Sequence, residues 1–187
     1  MKYTLEQTNQ MSWQEFGEIC QNLVRKIEKL DIEFDAIAPI LRNGMIPATV
    51  IANKLEIVNI VPIHLKYFYN PTEIKLFSPI VKPFDLVNNP KILVVESNTS
   101  SGESARKAYD LLKKEYPNSE LYYATVTRVF KKTQNNLSMY KEVVYGIMTD
   151  EDIVATEEEK EEFSLRKGIT IFPWETAERE LEEINSL

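Results

Sequence analysis

The chain has 187 residues, 43% of them hydrophobic, and a formal net charge of −7. That suits one α/β domain with a substantial core and argues against a general nucleic-acid surface. A single cysteine, Cys20, leaves no internal disulfide, and a single histidine, His64, disfavours Ser-His-Asp chemistry and His/Cys zinc sites. No apolar run approaches the ~18 residues of a membrane span, and the opening MKYTLEQTNQ is too polar for a signal peptide, so a cytoplasmic protein is expected. Residues 1–10 read as a polar, frayed lead-in. Ser12 and Glu15 form a capping box for a helix over about 12–30, with Trp13, Phe16, Cys20, Leu23, Ile27 and Leu30 on one face. Cys20 on that face is expected to be packed, not a nucleophile.

Asp35 to Leu41 is the next predicted strand, although Pro39 removes a ladder donor. Arg42, Asn43 and Gly44 then lead into a helix over about 45–55, with Pro47 tolerated in its first turn. Ile57 to Leu65 reads as another strand. The alternating, proline-containing text over 66–84 predicts a hairpin or a mobile flap, with His64 beside it as a packed or surface side chain.

The most informative stretch is ILVVESNTSSGES, Ile92 to Ser104. Its apolar start predicts a strand buried on both faces. Small hydroxyl residues end at Gly102, and Ala105, Ala108 and Leu112 then mark a helix to about Tyr116. A strand, a small-residue loop and a helix N-terminus together point unpaired amides and the positive end of the helix dipole at an anion. The loop 41–44 has the same geometry with a cation added. Neither GxxxxGK[ST] nor GxGxxG is present, which sets aside the nucleotide loops built on those strings.

Glu120 to Thr127 is a strand with Arg128 at its carboxyl end, where open α/β sheets place ligands. Lys131 and Lys132 are expected to be solvated. A strand over Glu142 to Met148 precedes an acidic stretch, Thr149 to Lys167, read as a solvated insertion or an exposed helix. Ile169 to Glu175 closes with Pro173-Trp174-Glu175. Trp174 is read as core packing, and Ala177, Leu181 and Ile184 predict a docked helix over about 175–185.

Three of these motifs, in this order, resemble type I phosphoribosyltransferases, over about Asp35 to Glu175. Glu96 to Ser104 resembles the PRPP motif, LRNGMIPA the pyrophosphate loop, and ITIFPWE the end of xanthine/hypoxanthine-type members. The resemblance implies a twisted, mostly parallel sheet flanked by helices, with a flexible flap and a small C-terminal hood, in a single domain. It implies transfer of phosphoribosyl from PRPP to a purine-type base, with release of pyrophosphate. Thr99, Ser100, Ser101, Gly102, Glu103 and Ser104 would hold the 5′-phosphate, and Glu96 with Ser97 the ribose. Leu41, Arg42, Asn43 and Gly44 would hold the pyrophosphate, Arg128 and Ile169 the base, and Lys66 and Tyr67 would begin the flap. Catalytic roles fall to Glu96, Ser100 and Arg42, with Mg²⁺ arriving with PRPP and a homo-oligomer, a dimer, as the assembly. The sequence departs from the family at Ser97 and Ser100, where acids are usual or frequent. Two further readings therefore stand beside the enzyme: a weak or inactive PRPP- or nucleotide-binding regulatory module, and an interaction protein whose loops bind nothing.

Overall fold

The computed structural model describes residues 2–83, 86–132 and 137–186. After a 3-10 turn at Leu5–Gln7 come β1 (Thr8–Gln10), α1 (Trp13–Glu28), β2 (Ala36–Pro39) and α2 (Met45–Lys54). The hairpin β3 (Leu65–Tyr69) and β4 (Thr72–Leu76) follows, then β5 (Lys91–Thr99), α3 (Glu103–Glu115), β6 (Glu120–Val129) and β7 (Val143–Asp150). The chain closes with α4 (Glu157–Glu162), β8 (Arg166–Lys167), β9 (Ile169–Ile171) and α5 (Ala177–Ile184).

Five strands form one parallel sheet in the order β2-β5-β6-β7-β8. Ile92 to Val95 are fully buried because β5 has neighbours on both sides and helices on both faces. On one face α1 and α2 pack Phe16, Leu23, Ile27 and Ile51 against Leu93, Val95, Ala124 and Val126. On the other, the α3 stripe of Ala105, Ala108 and Leu112 meets Ile92, Val94 and Tyr123. Burying Leu112 completely contributes about 1.5–3 kcal/mol. The small alanines let α3 lie close to the sheet. This is the α/β architecture the sequence implies.

The helix starts follow their signals. Glu15 N donates to Ser12 Oγ at 3.1 Å, and the Glu15 carboxylate accepts from Ser12 N at 3.4 Å, closing the capping box of α1. Cys20 is fully buried, and burial pushes its thiol up to about 12. Trp13 departs from the expected stripe: it is 60% exposed, with its ring against Trp174 at 5.7 Å.

Several expectations need correction. Residues 8–10 are not a frayed lead-in, because β1 pairs in parallel with β9. No regular strand forms over 57–63; this stretch meets β2 and the residue after it through isolated bridges, Ile60 with Ile37 and Ile63 with Ile40. Pro39 explains the interruption. Ile37 N and Leu41 N donate towards that stretch, to Asn59 O and Ile63 O, while the position between them has no amide hydrogen to give. The acidic segment is only partly solvated: Thr149 and Asp150 complete β7, Glu151 is buried, and α4 is the exposed helix. The hairpin expected over 66–84 is present as β3–β4, and position 84 lies outside the described residues. No helix among the described residues is long and apolar enough to cross a membrane.

Candidate active site

The loops after β2 and β5 open side by side, because those strands are paired with Pro39 opposite Val95. In the first loop the Leu41–Arg42 peptide is cis, Arg42 is exposed, and among the described residues Arg42 makes no ion pair. Gly44 is where the loop meets the sheet. A Cβ there would lie 2.4 Å from Ile40 O and 2.6 Å from Val95 O, so only glycine lets the α2 start sit this low. Its amide donates to Ile40 O at 3.0 Å and faces inward, which corrects the expectation that Gly44 N serves an anion. Asn43 Nδ2 donates to Glu175 Oε1 at 2.6 Å, and Glu175 Oε2 accepts from Phe172 N at 2.9 Å. Glu175 thus ties the first loop to the segment after β9. Burial, opposed by the Phe172 amide, pushes its carboxyl up to about 7.

Strand β5 runs on to Thr99, further than its apolar residues signal, and shortens the second loop to Ser100, Ser101 and Gly102. Gly102 has φ +78°, the left-handed conformation that turns the chain into α3. The first amides of that helix, at Glu103 and Ser104, point out of its N-terminus. Ser100 and Ser101 are half-buried, and Glu103 is exposed. Thr99 is buried, with Oγ1 2.7 Å from the Tyr123 hydroxyl, so it belongs to the sheet and not to a phosphate loop. Ser97 is 5% exposed, and is likewise not offered to a ribose. Glu96 remains as the acid of the motif. Tyr123 OH donates to its Oε2 at 2.5 Å, and burial pushes the carboxyl up to about 7 against the pull of Tyr123 and Thr99.

The two residues expected at a base are both packed against other side chains. Arg128 leans back over the Tyr145 ring at 5.7 Å and lines a shallow hollow with Leu137, Tyr140 and Glu142, towards the start of β7. Ile169 is 5% exposed and packs in a small cluster with Ile171, Leu181 and Tyr3. Lys132, expected to be solvated, is instead held in a network of side chains from distant parts of the chain. Its Nζ lies 3.4 Å from Glu151 Oε2, 3.1 Å from Asp152 Oδ2 and 3.3 Å from the Tyr3 hydroxyl, which itself bonds Asp152. Asn98 Nδ2 donates to Glu151 Oε1 at 3.4 Å and Thr127 Oγ1 donates to Asn98 Oδ1 at 2.7 Å. Burial works to lower the Lys132 ammonium, but Glu151 and Asp152 outweigh it and hold the group charged; burial lifts the Glu151 carboxyl. This network joins residues 3, 98, 127, 132, 151 and 152. No local spacing announces it, although the charged pair at the end of β6 and the acids at the end of β7 are visible in the sequence.

On the hairpin β3–β4, burial and then the Glu103 carboxylate raise the Tyr67 phenol, and burial and then Glu151 raise that of Tyr69. Lys66 Nζ lies 3.3 Å from Glu183 of α5. Among the described residues no group of three or more His, Cys, Asp or Glu is placed to hold a metal.

A family model described as a phosphoribosyl transferase domain matches residues 7–160. Among solved structures, the fold is similar to a purine phosphoribosyltransferase from Pyrococcus horikoshii, at 15% identity and a TM-score of 0.66, covering 91% of this chain and 95% of that one. It is similar to a xanthine-guanine-hypoxanthine phosphoribosyltransferase from Helicobacter pylori, at 16% identity and a TM-score of 0.63, covering 94% and 98%. A hypothetical protein from Neisseria gonorrhoeae with bound ppGpp matches at 17% identity and a TM-score of 0.63, covering 96% of each chain. With a phosphoribosyl transferase domain matched over residues 7–160, the chain belongs to the phosphoribosyltransferase family.

Proposed function

We propose that the protein transfers the phosphoribosyl group of PRPP to a purine-type base and releases pyrophosphate. The observation that carries this reading is the pairing of β2 with β5, which sets the Arg42 loop and the Ser100–Gly102 loop side by side, with Glu96 one residue past Val95. Ser100, Ser101, Gly102 and the amides of Glu103 and Ser104 hold the 5′-phosphate. Arg42, whose forked guanidinium suits phosphate oxygens, and the amide of Asn43 hold the pyrophosphate. Glu96 meets the ribose hydroxyls, and Lys132, in place of Arg128, faces the oxo group of the base. The reaction develops positive charge on the sugar, so rate enhancement comes from positioning, from neutralising the leaving group and from exclusion of water by the hairpin. No protein nucleophile is required.

Two features favour a second reading, a nucleotide-binding regulatory module. Ser97 and Ser100 supply no carboxylate where the family motif that the stretch resembles usually or frequently has acids, and the similar Neisseria gonorrhoeae protein carries ppGpp. Loss of a general base costs roughly a hundred- to ten-thousand-fold in rate without preventing binding. Thermal shift with Mg–PRPP, GMP, IMP and ppGpp, followed by pyrophosphate release over a panel of purine bases, separates the two. Turnover with any base supports the enzyme; ligand-induced stabilisation without turnover supports the module; no shift at millimolar ligand rejects both.

A further inference from the structure

We propose that Tyr123 is a positioning residue for the sugar: its buried phenol donates to Glu96 Oε2 and fixes the carboxylate so that Oε1 is the oxygen presented to a ribose hydroxyl. This rests on the phosphoribosyl-transfer reading above. A phenol has one hydrogen to give. With that hydrogen on Glu96 at 2.5 Å, the 2.7 Å contact between Thr99 Oγ1 and the Tyr123 oxygen has Thr99 as its donor. The result is a one-way chain, Thr99 to Tyr123 to Glu96, ending on the carboxylate.

The phenol is held in place. Tyr123 is fully buried, its ring lies 5.0 Å from that of Tyr140, and the Tyr140 hydroxyl is anchored on Ala105 O at 2.7 Å in the first turn of α3. Glu96 is faced by Tyr123 from β6, by Tyr140 from the segment before β7 and by Thr99 on its own strand; α3 brings Ala105 and Ala108, both uncharged, to the same layer. Burial pushes the carboxyl up, and the Tyr123 hydrogen bond favours its ionised form. Because Ser97 supplies no second carboxylate, the charge and orientation of the sugar shelf depend on this single group.

Tyr123→Phe keeps the ring and removes the donor. In ligand-free protein with ¹³C-labelled glutamate side chains, the resonance that vanishes in Glu96→Gln identifies Glu96. Its midpoint is expected to rise by about one pH unit in Tyr123→Phe, the size of one charge-assisted hydrogen bond. Thr99→Val, which removes the first donor of the chain, should move it in the same direction by less, and serves if Tyr123→Phe does not fold. Mg–PRPP affinity by calorimetry should fall about fivefold at neutral pH, as ionisation of Glu96 is lost. Part of the loss should persist about two pH units higher, where the carboxylate is charged but no longer fixed. An unmoved midpoint, or wild-type affinity in Tyr123→Phe, overturns the proposal while leaving the transfer reading intact. If the wild-type protein binds no Mg–PRPP although the midpoint moves, the transfer reading fails and the sugar role is refuted with it.

Discussion

Glu175→Gln tests how burial of one carboxyl shapes the pH dependence of folding. Glu175 titrates at about 7 in the folded chain against an ordinary 4.5. Between those values the folded state binds more protons than the unfolded one, so stability falls as pH rises through the window. The shift of about 2.5 units corresponds to roughly 3 kcal/mol lost above the folded value, of which about 2 kcal/mol is expressed between about pH 5 and about pH 8. Glutamine retains an oxygen for Phe172 N and an amide that Asn43 can meet after rotating its own, so the variant keeps the clasp and loses the charge. Urea titrations should show Glu175→Gln near wild type at the lower pH and more stable by about 2 kcal/mol at the higher, a midpoint difference on the order of 1 M. Two curves that run parallel across the window would refute the assignment of the burden to Glu175.

Gly44→Ala places a methyl group against two carbonyl oxygens at 2.4 and 2.6 Å although φ there is −63°, a conformation alanine accepts. Overpacking of about 1–3 kcal/mol should lower Tm by roughly 2–10 °C, and an unchanged melt would contradict the close approach. Arg42→Ala should weaken Mg–PRPP more than a nucleoside monophosphate in calorimetry, since only the former carries the pyrophosphate; equal losses would contradict its placement. Lys132→Ala should raise the KM for a purine base by about tenfold or more, as expected for loss of a charge-assisted contact, while Arg128→Ala should leave it within about twofold. The reverse ranking would return the base to Arg128.

The elements that could be read from the sequence were those with local signals. The Ser12–Glu15 box, the Ala105–Ala108–Leu112 stripe and the two strand-loop-helix junctions each depend on residues a few positions apart, and each formed as expected. Where the reading failed, the cause lay in packing across the chain. Counting along β6 placed Arg128 at the strand end but could not show its side chain leaning back over Tyr145 from the next strand. Lys132 looked solvated because its partners, Tyr3, Glu151 and Asp152, come from near one end of the chain and from just past β7. Thr99 and Ser97 looked like loop residues because their polarity hides a strand that β6 extends by pairing as far as Arg128.

The grip between Tyr3 and Asn185 has a further consequence. Tyr3 N donates to Asn185 Oδ1 at 2.7 Å and Asn185 Nδ2 returns a bond to Tyr3 O at 2.9 Å, across 182 positions of sequence. Each end is therefore the other's support, and trimming either should loosen both. Shortening the two together should cost less than the sum of the separate cuts, because a clasp can be undone only once.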